Sequence, residues 1–374
     1  MKIIIVGAGM AAYFVVQRLR KLDKTVDITV VCGGSGDQYY KPSLSKTLRK
    51  MLEPESLVTA TASDWAQRYN VTLIENSWVE RLDPNRKTLL VNRQILAYDK
   101  LVLAVGAIPS LFKDVEGIFH LNSLQSYFDF RQRLARHQEV LVLGGGLIGC
   151  EISSDLANAG YQPALMCAGA GPLEHMLPAQ GSLYLQQYME QMGVIFKTHS
   201  RVLNITQDEN NNSVVTFENG EQLVAPLVLN CTGLQANTAI AKAAGLVVNK
   251  GIVTDEYLQT SEVDIFAIGD CAEINGELYQ YVPPIMQSAR ALAATLLGNA
   301  TAFNIGQFPV TIEIHGMPVR IQGFTRAQEW EFDVYTGGAI AVGKSTMGEV
   351  LSRVIIGDPL VAQPKAAAAA LSEA

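Results

Sequence analysis

Two glycine-rich turns, each preceded by a short apolar run, constrain the fold of this chain more than any other feature. The first turn covers residues 7–12 (GAGMAA) and follows the apolar residues 3–6. The second covers 144–149 (GGGLIG) and follows 140–143. Glycines after a strand allow a tight turn and a close approach of the backbone to a pyrophosphate, which the next helix N-terminus attracts. Each copy therefore predicts a dinucleotide-binding turn.

The residues around both turns repeat one βαβ pattern. In each copy the order is strand, helix, strand, predicted at 2–6, 10–22 and 28–31, and again at 139–143, 147–159 and 164–167. A repeat of architecture within 374 residues indicates two nucleotide-binding domains. Two further strands end in small-residue turns, at 101–106 and 227–233, and are predicted to mark where the chain crosses between these domains.

Composition narrows the functional class. An apolar content of 48% supports sizeable cores, and a formal charge of −7 disfavours a nucleic-acid binder. The cysteines form no C-x-x-C pair, which predicts reduced thiols, a cytoplasmic location and no adjacent redox disulfide. The histidines lack metal-ligand spacing, and no apolar run reaches the ~20 residues of a membrane span.

The second half of the chain predicts smaller β structures. Turn-forming residues flank 214–217, which predicts a β-meander in the second domain. After Asn299, short alternating strands are expected around 310–312, 319–321 and 332–334, as a small third domain. The alanine-rich tail that follows Gln363 is assigned no function.

The second strand of each copy ends without the Asp or Glu that usually binds the adenosine ribose. Cys32 stands at this position in the first copy, where Asp37 is an alternative donor of a carboxylate, and Cys167 stands there in the second. Between Tyr161 and Ser200 the only Lys or Arg is Lys197. A 2′-phosphate would lack its usual cation, so the sequence favours NADH over NADPH.

Three charged residues are candidates for chemistry at a flavin. Asp270 ends an apolar run and is suited to accept a hydrogen bond from a polyol hydroxyl, or alternatively to cap a helix. Lys41, next to Pro42, is either a cation beside the reduced flavin or an ordinary solvated lysine. Glu151 either reaches the nicotinamide–flavin contact or complements its helix dipole. A Lys41–Glu151 pair beside the flavin would explain both residues.

Four segments together resemble the rubredoxin reductases and flavorubredoxin reductases, which are FAD-dependent and oxidise NADH. They are residues 7–12, 40–45 (YKPSLS), 144–151 (GGGLIGCE) and 267–273 (AIGDCAE), and the match extends from residue 1 to about residue 312. The resemblance implies an α/β fold with two Rossmann-like dinucleotide-binding domains of the glutathione-reductase-like FAD/NAD(P) type, plus a small α+β C-terminal domain. The FAD-binding domain is expected at 1–113 and 239–302, the NADH-binding domain at 114–238, and the C-terminal domain at 303–374.

The resemblance also implies roles for individual residues. Lys41 and Glu151 would lie near flavin N5 as catalytic residues, Asp270 would bind the ribitol chain, and the Val282 backbone would lie near the flavin ring. The complete set of expected cofactor-binding residues is Gly7, Gly9, Met10, Ala11, Ala12, Cys32, Lys41, Pro42, Val79, Ala104, Val105, Gly106, Arg131, Gly144, Gly146, Leu147, Ile148, Gly149, Glu151, Cys167, Gly233, Gly269, Asp270 and Val282. One departure is Glu313, where the family tends to have a lysine.

The implied reaction is hydride transfer from NADH to FAD, ring against ring, followed by single-electron transfer to the iron of a rubredoxin. Rubredoxins are typically acidic, so Lys46, Arg49 and Lys50, together with Lys41, are candidate docking cations. Three alternatives stay open: an NADH oxidase or peroxidase, whose reactive cysteine this chain lacks at 41–43, a ferredoxin reductase of an oxygenase system, and an NADH-sensing flavoprotein.

Overall fold

A computed structural model describes residues 1–304, 306, 308–323, 327 and 329–358. In chain order the helices of this part are α1 (Met10–Leu22), α2 (Ala62–Tyr69), α3 (Leu124–Leu134), α4 (Leu147–Asn158), α5 (Ala179–Gln191), α6 (Ala239–Ala243) and α7 (Val282–Leu296). The strands are β1 (Lys2–Val6), β2 (Asp27–Val31), β3 (Gln38–Tyr39), β4 (Val58–Ala60), β5 (Thr72–Ile74), β6 (Val79–Asp83), β7 (Thr88–Val91), β8 (Gln94–Ala97), β9 (Lys100–Leu103), β10 (Ala107–Pro109), β11 (Ile118–His120), β12 (Glu139–Leu143), β13 (Gln162–Met166), β14 (Ile195–Lys197), β15 (Val202–Gln207), β16 (Ser213–Phe217), β17 (Gln222–Ala225), β18 (Val228–Asn230), β19 (Leu234–Ala236), β20 (Ile252–Thr254), β21 (Ile265–Ala267), β22 (Ala272–Ile274), β23 (Glu277–Leu278), β24 (Val310–Ile312), β25 (Val319–Gly323), β26 (Glu329–Tyr335), β27 (Gly338–Lys344) and β28 (Val350–Gly357).

The chain forms two compact units. Unit one comprises Met1–Lys41, Glu55–Ile108 and Leu234–Gly306, and unit two comprises Pro42–Pro54, Pro109–Gly233 and the described part of 307–374. The segment 42–54, expected in the first domain, belongs to unit two. The assignment of one cofactor to each domain stays a prediction.

The core of unit one is a parallel sheet in the order β21-β9-β1-β2-β5. Ile3, Ile4 and Ile5 are fully buried, as expected for a strand with both faces covered. Strand β1 and helix α1 have the bounds that the sequence predicts, and β2 begins one residue earlier, at Asp27. Because the strands are parallel, the turns after β1, β2, β9 and β21 all lie at the carboxyl edge of this sheet.

Smaller elements complete unit one. Strands β6, β7 and β8 form an antiparallel meander, β3 pairs with β4, and β22 joins β20 to β23. Helix α7 packs against α1, and Ala289, Leu292 and Leu296 on α7 are fully buried. The first glycine turn therefore connects a buried strand to a helix that packs against α7.

Unit two repeats the parallel arrangement, with strand order β11-β18-β12-β13-β14. Leu143 pairs with Met166 at the ends of β12 and β13, as Val6 pairs with Val31 in unit one. The predicted strand at 164–167 is observed as Gln162–Met166. The β-meander predicted around 214–217 is confirmed as the antiparallel set β15-β16-β17.

The described C-terminal residues of unit two form an antiparallel sheet in the order β24-β25-β28-β27-β26. This confirms the three predicted strands, with β25 and β26 longer than expected. The tail that follows Gln363 lies outside the described residues. Of the helices described here, none combines the length and the apolar character that a bilayer-spanning helix needs.

Candidate dinucleotide-binding sites

The first glycine turn lies at the carboxyl edge of the unit-one sheet. Gly7 has φ of 109°, in the left-handed region that glycine tolerates, and its N–H donates to Val31 O at 2.7 Å. A Cβ at Gly7 would overlap the carbonyl oxygen of Ala104, the residue that follows the neighbouring strand β9. A side chain at this position is therefore excluded by both backbone conformation and space.

The second turn repeats this backbone in unit two. Gly144 has φ of 103°, and its N–H donates to Met166 O at 2.8 Å. A Cβ there would lie 2.6 Å from Cys231 O. A Cβ at Gly149, the third position, would overlap Gly144 O, so the second copy requires glycine where the first accepts Ala12. Packing thus requires glycine at the first and third glycine positions of the second copy.

Both helices after the turns begin in a way that suits a bound anion. Gly9 caps α1 and Gly146 caps α4, with no side-chain cap hydrogen bond and no acidic residue in either first turn. A Cβ at Gly9 or Gly146 would meet no atom within 4 Å. The first N–H groups of a helix need acceptors, and a pyrophosphate supplies them. The residues present fit one dinucleotide at each turn.

The segments that follow β9 and β21 lie beside the first glycine turn. A Cβ at Gly269 would lie 2.8 Å from the Ala11 side chain, so the turn after β21 packs against the start of α1. Below it, the buried Cys271 thiol donates to Leu103 O at 3.4 Å. The predicted residues Ala104, Val105 and Gly106 follow β9 directly, and therefore lie at the same edge of the sheet.

Lys41 and Asp270 form an ion pair within unit one. Their nitrogen and oxygen atoms are 3.9 Å apart, and the Asp270 side chain is largely buried. Burial lowers the pKa of Lys41 and raises that of Asp270, while the attraction between the two charges opposes both shifts. Asp270 lies in a single 3-10 turn with Ile268 at its N-cap, so the helix-cap alternative for Asp270 is wrong.

Glu151 is buried in unit two with partners that the sequence did not suggest. Its carboxylate accepts hydrogen bonds from Ser45 Oγ at 2.6 Å and from Glu313 N at 2.9 Å, and lies 3.6 Å from Lys46 Nζ. The lysine paired with Glu151 is thus Lys46. Lys41 is paired with Asp270 within unit one, and the pairing of Lys41 with Glu151 beside the flavin stays a prediction.

A second buried carboxylate extends this network. Asp155 accepts hydrogen bonds from Leu48 N at 2.7 Å and Arg49 N at 3.2 Å, and burial raises its pKa in spite of these donors. Glu313 lies 3.0 Å from Lys46 Nζ and 3.7 Å from Arg49 Nη2. Two of the predicted docking cations are therefore neutralised inside unit two, whereas Lys50 is exposed.

The remaining predicted site residues fall into two groups. In unit one, Val79 opens β6 and Val282 opens α7. In unit two, Gly233 has φ of 109° after β18, and Arg131 donates to Leu52 O at 3.0 Å and to Tyr127 OH at 3.0 Å. Arg131 therefore binds the segment 42–54 in this structure, and its predicted contact with a cofactor stays a prediction. Leu147 and Ile148 are apolar and exposed on the first turn of α4.

In unit one, an aromatic side chain lies beside the end of the second strand, β2. In unit one, the indole of Trp78 lies against Gly33, the residue after Cys32, and is 73% exposed. Asp37, the alternative proposed for this position, accepts a hydrogen bond from Ala62 N at 2.9 Å. Sequence reasoning missed Trp78, because a single exposed aromatic residue 46 positions after Cys32 carries no motif.

Comparison with known proteins gives the family. The profile described as pyridine nucleotide-disulphide oxidoreductase matches residues 1–293. The chain belongs to this family. It is 38% identical over 345 residues to the nitric oxide reductase FlRd-NAD(+) reductase of Aliivibrio fischeri, covering 91% of this chain and 90% of that protein. It is 34% identical over 368 residues to the rubredoxin-NAD(+) reductase of Acinetobacter baylyi, with 95% and 94% covered.

The solved structure of a covalent putidaredoxin reductase–putidaredoxin complex has a TM-score of 0.86 and 25% identity, covering 96% of this chain and 90% of that chain. The fold class expected from the sequence is confirmed, as is the resemblance on which it rested. The chain is an oxidoreductase that uses FAD and a pyridine nucleotide. Although its family is named for a disulphide, all five of its cysteines are free.

Proposed function

We propose that this protein oxidises NADH and passes the electrons, through FAD and one at a time, to a rubredoxin or a rubredoxin-like domain. The observation that carries the proposal is the extent of the likeness to reductases of this kind, which covers at least 90% of both chains. The chemistry comes from bound FAD, which accepts a hydride and releases electrons singly. The residues of the chain are required only to bind and orient FAD, NADH and the acceptor.

Each unit contributes one set of positioning groups to this proposal. In unit one, the N–H groups at the start of α1 would bind the FAD pyrophosphate, and Asp270 would accept from the ribitol hydroxyls. In unit two, the start of α4 would bind NADH. Lys41 keeps its predicted role as a cation beside the flavin. Glu151 keeps its predicted role near the nicotinamide, with Lys46 and Ser45 holding its carboxylate.

The state of the thiols disfavours the NADH oxidase or peroxidase alternative. Burial raises the pKa of Cys167 and Cys231 to about 12 and that of Cys271 to about 11, and the pKa of Cys32 is also raised. A thiol is nucleophilic and redox-active as the thiolate, which such pKa values suppress at neutral pH. The residues 41–43 contain no cysteine. The cytoplasmic location stays a prediction.

The docking surface for the acceptor is the finer part of the proposal. Of the predicted cations, Lys50 is exposed, and it lies next to Met51, whose side chain is 87% exposed. A cation beside an exposed apolar side chain suits an acidic protein partner. Lys46 and Arg49 keep their place in the prediction, although their charges are balanced by Glu151, Asp155 and Glu313.

The direct test is anaerobic reduction of purified acceptors by the FAD-loaded protein and NADH. A rubredoxin, a flavorubredoxin and a ferredoxin are supplied in turn, with cytochrome c as the readout. The proposal predicts that a rubredoxin or flavorubredoxin gives the highest kcat/KM. A higher value with the ferredoxin would favour the oxygenase-type alternative, and a slow reaction with all three would favour the NADH-sensing one.

The docking surface is tested with Lys50→Glu, which reverses an exposed charge and leaves Lys46 and Arg49, with their ionic partners, unsubstituted. We expect the KM for rubredoxin to rise about fivefold at low salt, corresponding to ~1 kcal/mol, while the KM for NADH stays the same. Lys113→Glu, an exposed lysine elsewhere in unit two, is the matched control. Equal effects of the two variants on the acceptor KM would remove Lys50 from the docking surface.

A further inference from the structure

The adenosine end of the second dinucleotide site lacks its usual carboxylate. An acidic residue after the second strand of a βαβ unit normally accepts hydrogen bonds from the ribose hydroxyls. Here the residue after β13 is Cys167, which is 1% exposed, with its sulfur packed where a Cβ of Gly145 would be. Burial first, and the charge of Glu174 second, raise its pKa to about 12. The Cys167 side chain is therefore packed inside unit two and supplies no carboxylate for a ribose, and a backbone contact of Cys167 with the cofactor stays a prediction.

The chain returns to the glycine turn a few residues later. Leu173 donates its N–H to Gly145 O at 2.8 Å, and its side chain is buried. Leu173 has φ of 54°, a conformation that is unfavourable for a branched apolar residue. A strained residue is retained where the surrounding contacts require it. This contact holds the next residue, Glu174, beside the dinucleotide turn.

The Glu174 carboxylate lies over the loop that follows β13. Its Oε2 accepts a hydrogen bond from Ala170 N at 2.7 Å, and a Cβ at Gly169 would overlap both carboxylate oxygens. Gly169 thus leaves the space that this carboxylate occupies. The Glu174 side chain remains 31% exposed, and its Oε1 lies 3.7 Å from Nε2 of the exposed His175. A carboxylate that is fixed at one oxygen and accessible to solvent suits a diol ligand.

The surrounding charges favour a ribose without a phosphate. Lys197, the single Lys or Arg between Tyr161 and Ser200, is paired with Glu221 and lies 5.1 Å from the ring centre of Phe217. A 2′-phosphate at the end of β13 would therefore meet the negative charge of Glu174 without a neighbouring free lysine from this stretch. Like charges in contact disfavour binding, which is a common means of rejecting the wrong ligand.

We propose that Glu174 replaces the missing strand-end carboxylate, binds the 2′- and 3′-hydroxyls of the adenosine ribose of NADH, and rejects the 2′-phosphate of NADPH. This proposal rests on the proposed function only in taking unit two as the nicotinamide nucleotide site. It assigns the nucleotide preference to a residue outside the glycine motif and outside the strand end.

The test uses Glu174→Gln in the FAD-loaded protein. Glutamine keeps an oxygen that accepts from Ala170 N, so the variant removes the charge and leaves the loop contact in place. Calorimetry with ADP-ribose and with 2′-phospho-ADP-ribose gives both affinities without turnover. We expect the preference for ADP-ribose to fall about 10- to 100-fold, by weaker binding of ADP-ribose and tighter binding of the phosphorylated ligand.

Glu190→Gln is the matched control, because Glu190 is an exposed carboxylate on α5 whose partner is Gln186. The Glu190→Gln variant should prefer ADP-ribose over 2′-phospho-ADP-ribose as strongly as the unmodified protein does. An unchanged preference in Glu174→Gln would overturn the proposal. Equal weakening of both ligands in Glu174→Gln and Glu174→Ala would also overturn it, since that result indicates a loop-holding role.

Failure of the proposed function gives a different result. If the unmodified protein binds ADP-ribose with the expected preference but NADH does not bleach its flavin, the reductase proposal fails and the role of Glu174 stands. If NADH bleaches the flavin but the preference is insensitive to Glu174, the reductase proposal stands and the role of Glu174 is refuted.

Discussion

The two glycine turns have nearly the same backbone and different surroundings. Gly7 and Gly144 share a left-handed φ near 100°, and each donates its N–H to the last residue of the second strand. Beyond the turn the copies diverge. The strand end of unit one is covered by the exposed indole of Trp78, and that of unit two by the Glu174 carboxylate. The comparison teaches that the glycine motif fixes the backbone of the turn, while residues distant in the sequence set the chemistry beside each strand end.

The largest expected effect concerns the third glycine position of the motif, where the two turns have different residues. Gly149→Ala would force a Cβ into Gly144 O, whereas Ala12 already occupies the corresponding position in unit one. We expect the rate of flavin reduction at limiting NADH to fall about 100-fold, equivalent to ~3 kcal/mol of overpacking, with the FAD content unchanged. Stopped-flow reduction by NADH measures the rate.

The matched variant is Ala12→Gly, which opens space in unit one and adds backbone freedom to α1. It should cost about 1 kcal/mol of stability and leave NADH-dependent reduction within about twofold. The comparison fails if Gly149→Ala reduces as fast as the unmodified protein. It also fails if that variant loses FAD instead of NADH binding, because the second turn would then hold the flavin.

An intermediate effect concerns the aromatic cover of unit one. If the Trp78 indole stacks on the FAD adenine, Trp78→Ala should weaken FAD binding about tenfold, within the ~1–3 kcal/mol typical of base stacking. Titration of the apoprotein with FAD, followed by tryptophan fluorescence, measures the affinity directly. FAD should quench the tryptophan fluorescence more strongly in the unmodified protein than in Trp78→Ala.

The chain has three tryptophans, which supplies the control. Trp330→Phe, in the C-terminal strand β26, should retain both the affinity for FAD and the quenching. Trp78→Phe should recover part of the affinity that Trp78→Ala loses. Unchanged FAD affinity in Trp78→Ala would mean that the indole only shields the Gly33 backbone.

The smallest expected effect concerns the residues between the first two glycines of each motif, which are Ala8 and Gly145. A Cβ at Gly145 would lie too close to the sulfur of Cys167. Gly145→Ala should raise the KM for NADH about fivefold, within the ~1–3 kcal/mol cost of overpacking. Cys167→Ala should be nearly silent, and the double variant should recover most of the loss. Absence of this coupling in the double-mutant cycle would show that the thiol does not restrict the turn.

Regular elements could be predicted closely from the sequence, because their signals are local. A buried parallel strand requires a continuous apolar run, and both copies have one directly before the glycines. The bounds of β1, α1 and β12 agree with the prediction to the residue. The same local signal places Gly269 and Asp270 directly after a buried apolar run, and the structure has them in the turn that follows β21.

The partners of the charged residues could not be predicted, because they lie far apart in the chain. Glu151 is held by Ser45 and by the backbone of Glu313, more than 100 positions away on either side. The segment 42–54 has no apolar periodicity, so nothing local indicates that Lys46 faces Glu151. Glu313, noted as a departure from the family, is explained by its ion pairs with Lys46 and Arg49.

The central claim is that one chain holds FAD at its first glycine turn and NADH at its second. Anaerobic titration of the FAD-reconstituted protein with NADH tests it most directly, by following the visible flavin absorbance. The account predicts one FAD per chain and complete bleaching by one equivalent of NADH. A colourless protein that does not take up FAD, or a yellow protein that NADH leaves unbleached, would contradict it.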